Sequence, residues 1–196
     1  MKRRYVGTMG TLIGSFTLTG LALAAAIALP APGLAVADTK GAAATVSAGD
    51  KDFIMEAACG GMAEVALGEL AQQKGQSDAV KQFGKHMVED HGKANNELKE
   101  LAGRKGVVVP AALKPKYQKV VDALAKLSGA EFDKQYMREM VKDHEKDVAA
   151  FQKESTAGKD PELTTWVKQT LPTLQGHLTM ARDAETKVKK GAGKAG

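Results

Sequence analysis

The sequence predicts an all-α bundle of four long helices, and three observations lead there. Beyond about residue 51, apolar residues recur at the helical period of about 3.6 for most of the chain. The only strand-like run, Val107-Val108-Val109, is too short to build a sheet. Glycine, proline and capping residues punctuate the periodic stretches at helix-length intervals.

The first 37 residues read as an address. Lys2, Arg3 and Arg4 precede an uncharged run from Thr11 to Leu29, then Pro30, Pro32 and the small-residue exit Ala35-Val36-Ala37. This is the layout of a cleaved signal peptide, with cleavage expected after Ala37. An uncleaved membrane anchor is the alternative, because the run approaches the roughly 20 residues that span a bilayer. Gly14, Ser15, Thr17, Thr19 and Gly20 dilute it, and cleavage is the better reading. The expected location is therefore the periplasm or the cell exterior, with Arg3-Arg4 only a weak hint of twin-arginine export. Residues 38–50, small and polar, read as a flexible linker, 51–188 as the bundle, and 189–196 as a disordered basic tail.

Within the bundle, the first helix is expected over about 52–75, ending at Lys74-Gly75, with Phe53, Ala57, Gly60, Glu64, Leu67 and Ala71 inward. Ser77 caps a second helix to about Arg104, with Val80, Phe83, Met87, His91 and Leu98 on one stripe. Pro110 and Pro115 flank a connection that leads into a short helix over about 116–127. A third long helix follows over about 130–156. Asp160 caps the fourth, which starts at Pro161 and runs to about Val188. Two short connections and one long one give up-down, crossover, up-down, the ferritin-like topology. An internal repeat supports it: KQFGKHMVEDHGK from Lys81 returns as KQYMREMVKDHEK from Lys134.

Charge and composition narrow the function. The 28 basic residues outnumber 23 acidic ones, but removal of the signal takes Lys2, Arg3 and Arg4 and leaves an excess of two. With 5% aromatics and interspersed signs, nucleic-acid binding is not expected, and contact with a membrane is expected only through an uncleaved signal. Nothing in the pattern sets the oligomeric state. A single cysteine, Cys59, excludes an internal disulfide and a thiolate zinc site, and reads as a packing residue.

The polar residues on the apolar stripes carry the chemistry. Glu64, His91, His144 and His177 fall within about 2.5 residues of their helix midpoints, about 4 Å along the axis at 1.5 Å per residue. A midpoint residue stays at the midplane whichever way its helix runs, so the four are expected in one layer. One carboxylate and three imidazoles make a ligand set for zinc, iron, manganese or copper. Asp90, Asp143 and Tyr136 are the expected outer partners of that set. His86, about 140° round its helix from His91, is expected to face solvent. The methionines Met55, Met62, Met87, Met137, Met140 and Met180 read as core filler before they read as copper ligands.

Three functions remain open on the residues. The first is a metal-holding bundle. The second is a non-catalytic envelope or secreted module whose polar layer only sets helix register. The third, an acid–base enzyme using His and Tyr136, ranks last because no nucleophile is evident.

The run Phe53…Glu64…Gly68-Glu69-Leu70-Ala71, then MVEDH to His91, FDKQY and MVKDH to His144, and LPTLQGHL with His177, resembles the exported bacterial family called domain of unknown function 4142. The resemblance spans about residues 50–185 and implies a ferritin-like fold with no established activity. The di-iron pattern of ferritins needs Glu three residues before a ligand His. Here Val88, Val141 and Leu174 occupy those places, so ferroxidase chemistry is not expected.

Overall fold

The computed structural model describes residues 46–192. The expected signal peptide with its cleavage after Ala37, most of the linker and the last four residues of the tail lie outside the described residues. Helix α1 spans Ala48–Lys74, and α2 (Asp78–His86) continues through a π turn at Met87–His91 into α3 (Gly92–Arg104). Helix α4 (Pro115–Ala125) sits in the crossover, followed by α5 (Gly129–Ala157) and α6 (Pro161–Ala192). Among the described residues no strand forms, only an isolated bridge between Gly75 and Gly129. No described helix is long and apolar enough to cross a membrane.

The bridge fixes the topology. It sets the start of α5 beside the turn between α1 and α2, so the crossover travels the bundle's length and α5 runs parallel to α2–α3. At the opposite end, Lys105 Nζ pairs with Asp160 Oδ2 at 2.8 Å, joining the end of α3 to the α5–α6 turn. The crossover helix α4 lies against α1 and α5.

Local sequence explains the boundaries. Ser47 Oγ accepts the Asp50 amide at 3.1 Å and starts α1 at Ala48, four residues before the expected start. The small residues 48–50 therefore belong to the helix and not to a linker. Ser77 Oγ accepts the Val80 amide, and Asp160 Oδ1 accepts those of Glu162 and Leu163, as expected for caps. Nothing in Lys189-Lys190-Gly191-Ala192 stops α6, and helix extends over the first half of the expected tail.

The π turn was not legible in the repeat. Its second copy, MVKDH on α5, is ordinary α-helix. Among the differences between the copies, the first has Gly84 where the second has Met137. A Cβ on Gly84 would lie 2.7 Å from both Gly68 O and Ala71 Cβ, so glycine alone lets α2 cross α1 this closely. Such i→i+5 turns cost ideal geometry and concentrate at functional sites.

Two apolar clusters form the core. One contains Leu67, Phe83, Met87, Phe132, Tyr136 and Met140, and the other Ile54, Leu98, Phe151, Leu163, Val167 and Leu174. Met87, Met137 and Met140 are fully buried within the first cluster, as core filler. Cys59 is buried on α1 and its sulfur accepts the Lys114 amide at 3.1 Å, pinning the end of the loop that leads into α4. The outer side of α1 is covered too, which is why Ala58, Cys59, Gly61 and Ala63 are buried beyond the expected stripe.

Each tight turn is clamped by an aspartate from the other helical hairpin. Asp133 on α5 accepts the amides of Gln76 (2.8 Å) and Ser77 (2.7 Å) in the α1–α2 turn. Asp50 on α1 accepts those of Lys159 (3.0 Å) and Asp160 (2.8 Å) in the α5–α6 turn. Both carboxylates are buried. Asp50→Ala and Asp133→Ala should each destabilise by about 1.5–3 kcal/mol, because each strands two amides that a charged acceptor had satisfied. The clamps sit at opposite ends of the bundle, so the double variant should show the sum within about 0.5 kcal/mol in urea unfolding. Single losses under 0.5 kcal/mol would contradict this role.

Candidate metal centre

The polar layer lies between the two apolar clusters. On α1, Glu64 falls between Ala58 of one cluster and Leu67 of the other. His91, His144 and His177 are flanked in the same way along their own helices. Glu64, His91, His144 and His177 are all buried, so the structure brings the four expected residues together. The ring centroids of the three imidazoles are 5.6 Å (His91–His144), 5.1 Å (His91–His177) and 5.5 Å (His144–His177) apart. One nitrogen from each histidine lies within 4.8 Å of the other two.

Each imidazole has one nitrogen held and the other free. His91 Nδ1 lies 2.9 Å from Glu64 Oε2. His144 Nδ1 donates to the Met140 carbonyl at 3.0 Å, and His177 Nε2 donates to Asp90 Oδ2 at 2.8 Å. A carbonyl and carboxylates only accept, so the held nitrogens carry the protons and fix the tautomers. The opposite atoms, His91 Nε2, His144 Nε2 and His177 Nδ1, are buried without a hydrogen-bond partner. Glu64 Oε1 is also unpartnered, 3.4 Å from His144 Nε2 without bonding it. Buried polar atoms in native proteins are nearly always paired, so four orphans in one layer require an explanation.

Electrostatics divide the layer. Burial pushes the Glu64 carboxyl up, but the charges of His91 and His144 outweigh it and bring it down to about 2. Burial works against charge on His91, yet Glu64 holds its pKa above the ordinary 6.5. Burial lowers His144, and it lowers His177 to about 4 despite the bond to Asp90. Burial thus favours the neutral form at His144 and His177, while Glu64 favours the charged form at His91.

The expected outer partners take different places. Asp90 orients an imidazole, though that of His177 on α6 and not of its neighbour His91; it lies in the π turn. Tyr136 is buried in the apolar cluster, its ring 6.1 Å from Phe83, and its hydroxyl bonds to none of the histidines. Asp143 hydrogen-bonds to none of the imidazoles and gathers with Glu64 and Asp147, each offering a carboxylate oxygen within 4.8 Å of the others. Asp147 escaped the sequence analysis. Its position four residues after Asp143, on one face of α5, was the available signal. His86 is exposed, as expected.

Burial and the Glu64 charge push Asp143 up to about 6 and Asp147 up to about 9, from an ordinary 3.8. Through these two groups the folded chain binds more protons than the unfolded one as pH rises from 3.8, up to about 6 for Asp143 and about 9 for Asp147, so their contribution to stability falls over that window. Asp147→Asn removes the titrating group. The metal-free variant should melt a few degrees above wild type at pH 8, given that about 1 kcal/mol moves Tm by about 2–4 °C at this size. The gap should close near pH 4, and a gap independent of pH would contradict the assignment.

The Domain of unknown function (DUF4142) family model matches residues 35–184. Among solved structures, the chain is similar to a DUF305 fragment from Deinococcus radiodurans, with a TM-score of 0.62 at 16% identity over 74% of this chain and 98% of that one. It is also similar to CopM in Cu(I)-bound and Cu(II)-bound forms, each with a TM-score of 0.60 at 19% identity over 70% of this chain and 96% of the other. At these identities the likeness concerns the fold. No curated protein matches the chain. The family match covers well over half of the sequence and the fold agrees with the helical reading of its motifs, so this chain belongs to the DUF4142 family.

Proposed function

We propose that the protein is an exported, ferritin-like bundle that holds one transition-metal ion through His91, His144 and His177, with Glu64 as the carboxylate beside them. The observation that carries this reading is the held-and-free pattern of the imidazoles: three ring nitrogens fixed by acceptors, and three left unpartnered in the same buried layer. Metal-binding histidines are ordinarily arranged this way, their second nitrogen bonded to a carboxylate or carbonyl that sets tautomer and orientation.

Imidazole donors suit zinc, copper, iron and nickel, and a copper-bound neighbour of the same fold supports copper as the first ion to try. Zinc, iron and manganese remain alternatives within the same donor set. Storage, sensing or modest redox chemistry of the bound ion is the use this donor set supports. Export rests on the basic, apolar and small-residue pattern of residues 1–37. The rival is a polar layer that only fixes register, and it is favoured by the direct Glu64–His91 contact at 2.9 Å.

Metal content of the untagged mature chain separates the two. About one equivalent of transition metal per chain is expected after loading with Cu(II) or Zn(II) and desalting, and less than about 0.2 in the His91→Ala/His144→Ala/His177→Ala variant. A chelator should lower the melting temperature of the loaded wild type only, because a ligand that binds the native state stabilises it by mass action, about 2.7 kcal/mol at 100 times Kd. Affinity should fall as pH drops, since protons compete for the same lone pairs, and His91, whose pKa Glu64 raises, should be the first of the three imidazoles to lose its metal to a proton. Equal metal content in the two proteins would overturn the proposal.

A further inference from the structure

The carboxylate group beside the imidazoles is a feature that the proposed nitrogen site does not use. Glu64, Asp143 and Asp147 each place an oxygen within 4.8 Å of the other two. Asp143 and Asp147 are half-buried and line a cleft of about 350 Å³ walled by α1, α4 and α5, with Tyr117 and Leu67 also on its walls. Glu64 closes the cluster from inside. It is 1% exposed, and its Oε1 has no hydrogen-bond partner. A buried carboxylate oxygen beside two more carboxyl groups is a costly arrangement unless protons or a cation join them. Of the lysines on the cleft walls, Lys116 pairs with Glu56, Lys142 lies 3.7 Å from Glu139, and Lys146 is near enough for its charge to act on Asp143 and Asp147 but forms no ion pair with the cluster.

We infer that Glu64, Asp143 and Asp147 form a second cation site, built only of oxygen donors and reached through this cleft, for a hard divalent ion of the Mn²⁺, Mg²⁺ or Ca²⁺ kind. Oxygen donors of this type select hard ions, while the imidazole layer selects borderline ones, so one helix layer offers two chemically distinct sites. Glu64 belongs to both: Oε2 holds His91 and Oε1 is unpaired. Occupancy of one site therefore draws on the carboxylate that orients the other. The carboxylate site stands whether or not the imidazoles take a metal.

Mn²⁺ is the probe, because free and bound ion are resolved by electron paramagnetic resonance. The wild-type mature chain, freed of other metals, should bind about one Mn²⁺. Asp147→Asn and Asp143→Asn should each weaken binding at least tenfold, and the pair together should abolish the saturable phase. His144→Ala/His177→Ala should leave Mn²⁺ affinity within about threefold while Zn(II) retention is lost. Unfolding curves establish that the Asn variants fold, as the metal-free stability argument expects. Retention of Zn(II) by the histidine variant alongside loss of Mn²⁺ by the aspartate variants supports this site and defeats the nitrogen site alone. Mn²⁺ binding that survives Asp143→Asn/Asp147→Asn unchanged places the ion on surface carboxylates and overturns the inference, as does a wild type with no saturable phase.

Discussion

The contact between Glu64 Oε2 and His91 Nδ1, 2.9 Å long and buried in the bundle, constrains everything around it. A carboxylate does not stay ionised in an apolar core without a positive partner. Once Glu64 occupies α1 at mid-height, α2–α3 must present a basic group at the same height, and helix register is fixed between the two clusters of apolar side chains. The close approach of Gly84 to Gly68 on α1 and the π turn that follows lie between the start of α2 and His91. His144 and His177 complete the layer from the other hairpin, and their lowered pKa values leave them neutral with lone pairs directed inward.

Much of this was legible in the sequence because helices are regular. At a fixed rise per residue, a residue at the centre of its helix stays at mid-bundle under either chain direction, so Glu64, His91, His144 and His177 converge without any knowledge of pairing. The long crossover and the two short turns likewise set the topology from spacing alone. The caps Ser77 and Asp160 were visible from residue type, but the clamps Asp50 and Asp133 were not, because each satisfies a turn distant in sequence.

The parts that escaped share a cause: they depend on angles and not on heights. Asp90 and Asp143 occupy matching places in the repeat, yet one reaches across to His177 and the other joins Glu64 and Asp147. The π turn in the first copy alone separates their settings, and no residue pattern announces it beyond a glycine at position 84. Tyr136 failed as an outer partner because two helical turns before His144 places it inside an apolar cluster.

The most direct test of the central claim is nitrogen NMR of the histidine side chains, before and after one equivalent of Zn(II) at pH 7.5. The account predicts proton-bearing nitrogens at His91 Nδ1, His144 Nδ1 and His177 Nε2 throughout, and metal-induced shifts at His91 Nε2, His144 Nε2 and His177 Nδ1. Shifts confined to His86, or none at all in the three buried rings, would contradict it.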